Sequence, residues 1–98
     1  MLGHLSPRER EDLRRAWAQG SAWARVIRDA FLDGTRLRIG LARARGIGEI
    51  AAATGLAPDA VPAAAAEAAR WLHARGLHLM DFQPPEPGAD RHYLLAVG

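Results

Sequence analysis

The stretch from Gly46 to Val97 admits few ways of folding. Its opening, GIGEIAAATGLAPDAV, sets a helix-period run over 47–54 against a break at Thr54-Gly55-Leu56, with a second helical run following. Ile47, Ile50 and Ala51 fall on one face of the first run. Gly55 supplies the positive φ that closes a helix in a tight turn, and Leu56 is placed to plug the gap between the helices. Pro58 suits a helix start, with Asp59 beside the positive end. The second helix, PDAVPAAAAEAARWLHAR, puts Val61, Ala64, Ala65, Ala68, Trp71 and Leu72 on one buried face. Pro62 within its first turn moves the start toward that residue. After Gly76 the apolar pattern becomes strand-like. Leu77 to Phe82 and His92 to Val97 read as two strands joined by QPPEPGADR, an antiparallel hairpin over about 77–97.

Two helices are expected upstream. Ser6-Pro7-Arg8-Glu9 carries a cap, a first-turn proline and the acid of a capping box, so a helix runs from there to about Gln19 and stops at Gly20. Its apolar stripe is thin: Leu13, Ala16 and Trp17. The next helix spans Ser21 to Asp33 and ends at Gly34, with Trp23, Val26, Ile27, Ala30 and Phe31 forming a continuous apolar face. Core packing is the first reading of that face. A surface for a second copy of the chain is the other, with Trp17, Trp23, Ile27 and Phe31 as its contacts. Thr35 to Arg45 reads as a short helix with Leu37, Leu41 and Ala44 inward, although its alternation also permits a strand and Gly40 weakens a helix.

Composition limits the core and the chemistry. The chain has 98 residues, the size of one domain, and of its 48 apolar residues 21 are alanine. Such a core is modest and helix-biased, so pairing into a homodimer would help it. No cysteine is present, which removes disulfides, thiolate metal sites and thiol catalysis. All 13 basic residues are arginine, and neither Lys nor Asn occurs, a bias of GC-rich coding. The amino end MLGHLSPRERED lacks a signal-like apolar stretch, and no apolar run approaches membrane-spanning length. A bacterial-type cytoplasmic protein without a membrane partner is expected. Charge is distributed unevenly: residues 1–48 hold ten Arg and five acids, residues 49–98 three Arg and six acids.

The long helix turns Asp59, Ala63, Ala66, Glu67, Arg70 and His73 outward, and only Arg70 can donate to a base edge. Arg36, Arg38, Arg43 and Arg45 form either a solvated face or a patch that grips phosphates. His73, His78 and His92, with Asp81 and Asp90, match no metal-ligand spacing and read as ordinary surface or hairpin groups. Gly46-Ile47-Gly48 is a loop before a helix rather than a phosphate cradle. No nucleophile–base pair or paired carboxylates stand out, and no Gly-rich loop follows a strand, so neither an enzyme nor a cofactor is expected.

The positions Leu37, Ile50, Ala51, Gly55, Leu56, Val61, Leu72, Gly76 and Leu77 resemble the winged-helix domain of small ArsR-type repressors over residues 34–82. EIAAATGLAPDAV with its following helix and hairpin also resembles the winged-helix dimerisation domain of bacterial small-molecule O-methyltransferases, whose catalytic domain has no counterpart here. The resemblance implies a mainly α fold with a small β-hairpin, a winged helix-turn-helix preceded by two helices. Residues 1–98 then form one domain, with 1–34 as a helical extension and 35–98 as the winged helix. The first likeness implies a small dimeric DNA-binding regulator but does not extend to the base-contacting positions; the residues themselves offer Arg36, Arg43, Arg45, Thr54, Arg70, Arg91 and His92 as contacts, mainly to DNA backbone. The second implies a protein-interaction or dimerisation module that leaves DNA alone.

Overall fold

The computed structural model describes residues 3–98. About half of them are helical, and a small antiparallel sheet completes the fold. Helix α1 (Pro7–Ala18) starts as its sequence implies. Ser6 Oγ accepts from the Glu9 N–H at 3.1 Å, and Glu9 Oε1 accepts from the Ser6 N–H at 2.8 Å. Gly20 follows the helix with a φ of 82°.

Helix α2 (Ala22–Arg25) continues as a π-helical turn, Val26–Ala30. This continuous segment is the centre of the molecule. It buries Ala24, Val26, Ile27, Ala30 and Phe31, and it lies against α1, α3 (Ile47–Thr54) and α4 (Val61–His73). One expectation changes as a result. Ile27 and Phe31 are each 1% exposed and fill the chain's own core, so they offer no surface to a second copy.

The helix expected to reach Asp33 stops at Phe31. Strand β1 (Leu32–Asp33) turns back through Gly34-Thr35 onto β2 (Arg36–Leu37), with Leu32 opposite Leu37. Gly34 has a φ of 64°, which fits a two-residue hairpin loop with glycine in first place. The short helix expected over 35–45 is absent. The Leu37 N–H donates to Gly3 O at 2.6 Å and the Leu5 N–H to Thr35 O at 3.1 Å, so the amino-terminal segment takes the bonds a helix would need. Gly40 then adopts a φ of 112°, outside any helix, before a 3-10 turn at Leu41–Arg43. Leu41, expected inward, is 68% exposed.

Strand β3 (Arg45–Gly46) leads directly into α3. Gly55 closes α3 with a φ of 77°, and Leu56 packs on the core. A 3-10 turn at Pro58–Ala60 precedes α4, which has Pro62 in its first turn. Val61, Ala64, Ala65, Ala68 and Leu72 are buried as expected; Trp71 is half-buried, its ring 5.9 Å from that of Trp23. Strands β4 (Leu77–Phe82) and β5 (His92–Val97) pair over their full length, and β3 adds to β5, giving the order β3-β5-β4. No helix among the described residues is long and apolar enough to cross a membrane.

One ion pair ties the start of α1 to the end of α4. Arg75, just beyond α4, donates through Nε to Glu9 Oε2 at 2.5 Å, and through Nη2 to Glu9 Oε1 at 3.2 Å and His4 O at 3.0 Å. Both side chains are largely covered, which reduces screening. The Arg75 guanidinium holds the Glu9 carboxyl below its ordinary range. A carboxyl with a lowered folded-state pKa contributes stability that is present above its unfolded pKa and lost as pH falls through the folded value. Glu9→Gln should therefore cost about 1–3 kcal/mol at pH 7. It should also flatten the fall in stability below about pH 4.5. Urea unfolding of both proteins across pH 3–7 checks this, and parallel acid limbs would refute it.

Candidate nucleic-acid interface

The start of α3 is held against the root of the β4–β5 hairpin by hydrogen bonds to Asp90 and Arg91. Three N–H groups at that helix start are taken by the protein itself. The Gly46 N–H donates to Glu49 Oε1 at 3.0 Å, the Ile47 N–H to Arg91 O at 3.0 Å, and the Gly48 N–H to Asp90 Oδ2 at 2.7 Å. Asp90 therefore works as a cap supplied by the hairpin root, where a carboxylate favours the positive helix end. A Cβ on Gly46 would lie 2.5 Å from Asp90 Oδ1 and 3.0 Å from His92 Cε1. Glycine is needed there by closeness, not by φ. The 83–91 loop is braced again by Gln83 Nε2, which donates to Ala89 O at 2.6 Å.

The outward face of α4 and the hairpin is acidic. Asp59, Glu67, Asp81, Glu86 and Asp90 are exposed there, against Arg70 and Arg91. Arg91 Nη1 donates to Asp81 Oδ2 at 2.5 Å, so one of those two cations is already paired. Between α4 and the sheet runs a groove of about 410 Å³, walled by Pro62, Ala65, Ala66, Ala69, Leu79 and Tyr93. Burial raises the Tyr93 phenol above its ordinary pKa, and the Asp81 charge adds to this.

The arginines from 36 to 45 make a different surface. Arg36 is hydrogen-bonded to His4 Nε2, at 2.9 Å from its Nη2. Arg38, Arg43 and Arg45 take part in none of the ion pairs among the described residues. Arg38 and Arg43 line two adjoining cavities. The first, about 390 Å³, also has Arg36 and Asp33 in its wall; the second, about 220 Å³, has Arg45 and Glu49. Four guanidinium groups thus share one continuous surface with two carboxylates.

The candidate contacts consequently separate. Arg36, Arg43 and Arg45 come together, while Arg70 and Arg91 lie elsewhere among acids. Thr54 is 8% exposed, and its hydroxyl donates to Ile50 O at 2.7 Å while accepting from the Leu56 N–H at 3.2 Å. It holds the turn and is not available to DNA. His92 is half-buried, with Nδ1 2.9 Å from Asp90 O and its ring 5.7 Å from Phe82. Arg38 belongs to the cluster and is missing from the contact set argued from sequence. The alternation of TRLRIG, with Arg36 and Arg38 on one face, is the signal for it. At the tryptophan surface, Trp17 is 38% exposed, with Arg28 Cζ 3.8 Å above its ring. The histidines do not converge: His73 and His78 stack at 5.2 Å, apart from the His92–Asp90 contact, and no metal-holding group of three forms among the described residues.

Comparison with protein-family models, curated proteins and solved structures finds no match.

The hairpin-root contact gives a direct test. Gly46→Ala should displace the Asp90 carboxylate and cost about 1–3 kcal/mol. Asp90→Ala removes the cap, and once it is gone Gly46→Ala should cost much less, a non-additive cycle. Additive losses in denaturant unfolding would show that the two residues do not meet.

Proposed function

We propose that this chain is a winged-helix protein that binds duplex DNA through its phosphates, and does so with the 36–45 segment rather than by reading bases with α4. The winged-helix reading rests on the order β3-α3-α4-β4-β5, with sheet order β3-β5-β4 and a glycine turn between α3 and α4. The observation carrying the function is the group of unpaired arginines, Arg38, Arg43 and Arg45, beside Arg36. Phosphate contact fixes a protein on DNA without carrying sequence information, and it needs cations rather than base-edge donors. The outward side of α4 is mostly alanine, with Arg70 its one arginine beside a single acid, Glu67, which argues against major-groove reading.

A small dimeric regulator is the form this takes. Trp17 and Trp23 are the surface left for pairing two copies once Ile27 and Phe31 are placed inside. A second reading, a protein-interaction module, is favoured by the groove between α4 and the sheet, whose largely apolar wall also holds the Asp81–Arg91 pair. A partner there would present apolar side chains.

Fluorescence anisotropy with a 20-base-pair duplex of arbitrary sequence separates the readings. If about three or four phosphates are neutralised, affinity falls roughly 50-fold or more between 50 and 200 mM salt. Replacing Arg43 and Arg45 together by Ala should reduce the salt slope by about two, and Arg70→Ala should leave affinity within about twofold. Absence of binding at 50 mM salt would remove the DNA reading in favour of the module, and a large Arg70 effect would return α4 to the groove.

A further inference from the structure

We propose that the open edge of β4 and the trough beside it bind an extended peptide, which joins the sheet antiparallel to β4 and brings an acidic carboxyl end to Arg70. This deepens the interaction-module reading and is independent of the DNA reading. In the sheet order β3-β5-β4, one edge of β4 has no neighbouring strand among the described residues. Two contacts fix which groups that edge presents. The Gly98 N–H donates to Gly76 O at 3.1 Å, and the Ile47 N–H donates to Arg91 O at 3.0 Å. Bonded and non-bonded pairs alternate along an antiparallel ladder, so His78, Met80 and Phe82 are the residues that bond to β5. Leu79 and Asp81 turn their N–H and C=O groups outward, and these have no partner among the described residues. Leu79 is half-buried and Asp81 is exposed. Leu77 has the same phase but is fully buried, and it lies outside the site.

A trough runs along the same strand. The groove of about 410 Å³ between α4 and the sheet adjoins a second cavity of about 380 Å³, and the two share Ala69 and Leu79. On the α4 side the wall is alanine at 65, 66 and 69, and such short side chains leave room for those of an added strand. Strand addition draws affinity from main-chain hydrogen bonds and specificity from pockets that take alternate side chains. Edge strands are commonly protected against it by Lys, Pro, a bulge or an unpaired charge. The β4 sequence LHLMDF has neither Lys nor Pro and pairs with β5 in unbroken register, and its one acid is already bonded to Arg91.

Charge sets the end of the peptide. Because β4 runs from Leu77 to Phe82, an antiparallel peptide finishes beside His78. Arg70, His73 and His78 line the trough there, and Arg70 takes part in none of the ion pairs among the described residues. The other arginine in the wall, Arg91, is held by Asp81. A terminal carboxylate or an acidic side chain therefore finds its partner at the Arg70 end. Side chains of the peptide that point into the trough meet Leu79 and the alanines, so these are the apolar ones. On the other face of the strand Met80 is 52% exposed and gives the alternate residues an apolar neighbour.

The test titrates the ¹⁵N-labelled protein with synthetic heptapeptides that alternate valine and threonine. One has a free terminal carboxylate, one ends in an amide, and one is N-methylated at the residues that face β4. The Leu79 and Asp81 amide signals should shift saturably with the first. The amide form should bind about threefold more weakly, and the N-methylated form about tenfold or more weakly. Arg70→Ala should abolish the preference for the carboxylate. Ala66→Gln, at an exposed position, should crowd the trough and weaken binding at least about fivefold, with thermal melting confirming that both variants are folded. Absence of a saturable shift, equal binding of the N-methylated peptide, or full affinity in folded Ala66→Gln protein would overturn the site. A carboxylate preference that survives Arg70→Ala would overturn the role of Arg70. Shifts at Leu79 and Asp81 that grow with protein concentration alone would give the edge to a second copy and overturn the peptide. Shifts on α4 with an amphipathic helical peptide, and none with the strand peptides, would keep the interaction module and overturn strand addition. Failure of the duplex alone to bind would remove the DNA reading and leave this site standing.

Discussion

A chain with so much alanine among its apolar residues can build a core only by bringing helix backbones close together, and the fold follows from that constraint. Ala24 and Ala30 on the central helix and Ala64, Ala65 and Ala68 on α4 are all buried. Small side chains at helix contacts shorten the distance between axes, which lies within about 8–10 Å depending on those side chains. The larger groups, Val26, Ile27, Phe31, Ile50, Val61 and Leu72, then fill the remaining space between the central helix, α3 and α4. Ala22–Phe31 is apolar on so wide an arc because it must serve α1, α3 and α4 at once. The same need removes Ile27 and Phe31 from any surface.

With the core arranged in this way, the charged groups sort themselves by position. Arginines that find carboxylates are structural: Arg75 joins Glu9, and Arg91 joins Asp81. Carboxylates near the α3 start are structural as well, because Glu49 and Asp90 satisfy backbone N–H groups there. Among the described residues, Arg38, Arg43 and Arg45 form no ion pair, and they lie on a segment whose backbone is fixed by the amino-terminal segment on one side and by β5 on the other. Unpaired cations gathered on a held backbone are better suited to an anionic ligand than the single arginine exposed on α4.

Much of this was legible in the residues, for a definable reason. Helix α1, with its cap, and α3, α4, β4 and β5 are each set by local periodicity and by turn residues such as Gly55. The segment 32–45 was not, because its conformation comes from distant partners. Gly3 bonds to β2 and Leu5 to Thr35 just before it, and the Gly40 N–H donates to Leu95 O at 2.8 Å. A helix pattern written over Leu37, Leu41 and Ala44 has no means of anticipating those bonds. The site was half visible for the same reason. The run of arginines stood out, but Thr54 looked available only because its hydroxyl bonds to Ile50 O and the Leu56 N–H could not be read from sequence. Asp90 reads from sequence as an ordinary hairpin group, yet its carboxylate accepts from the Gly48 N–H, 42 residues away.

The central claim is that the DNA-facing surface is the arginine segment and not the helix normally placed in the groove. Amide chemical-shift mapping of the ¹⁵N-labelled protein with a non-specific duplex at low salt tests it most directly. The account predicts changes at 36–49, with Ala63, Ala66, Glu67 and Arg70 nearly unmoved. Changes concentrated on those four residues of α4, with 36–49 silent, would contradict it.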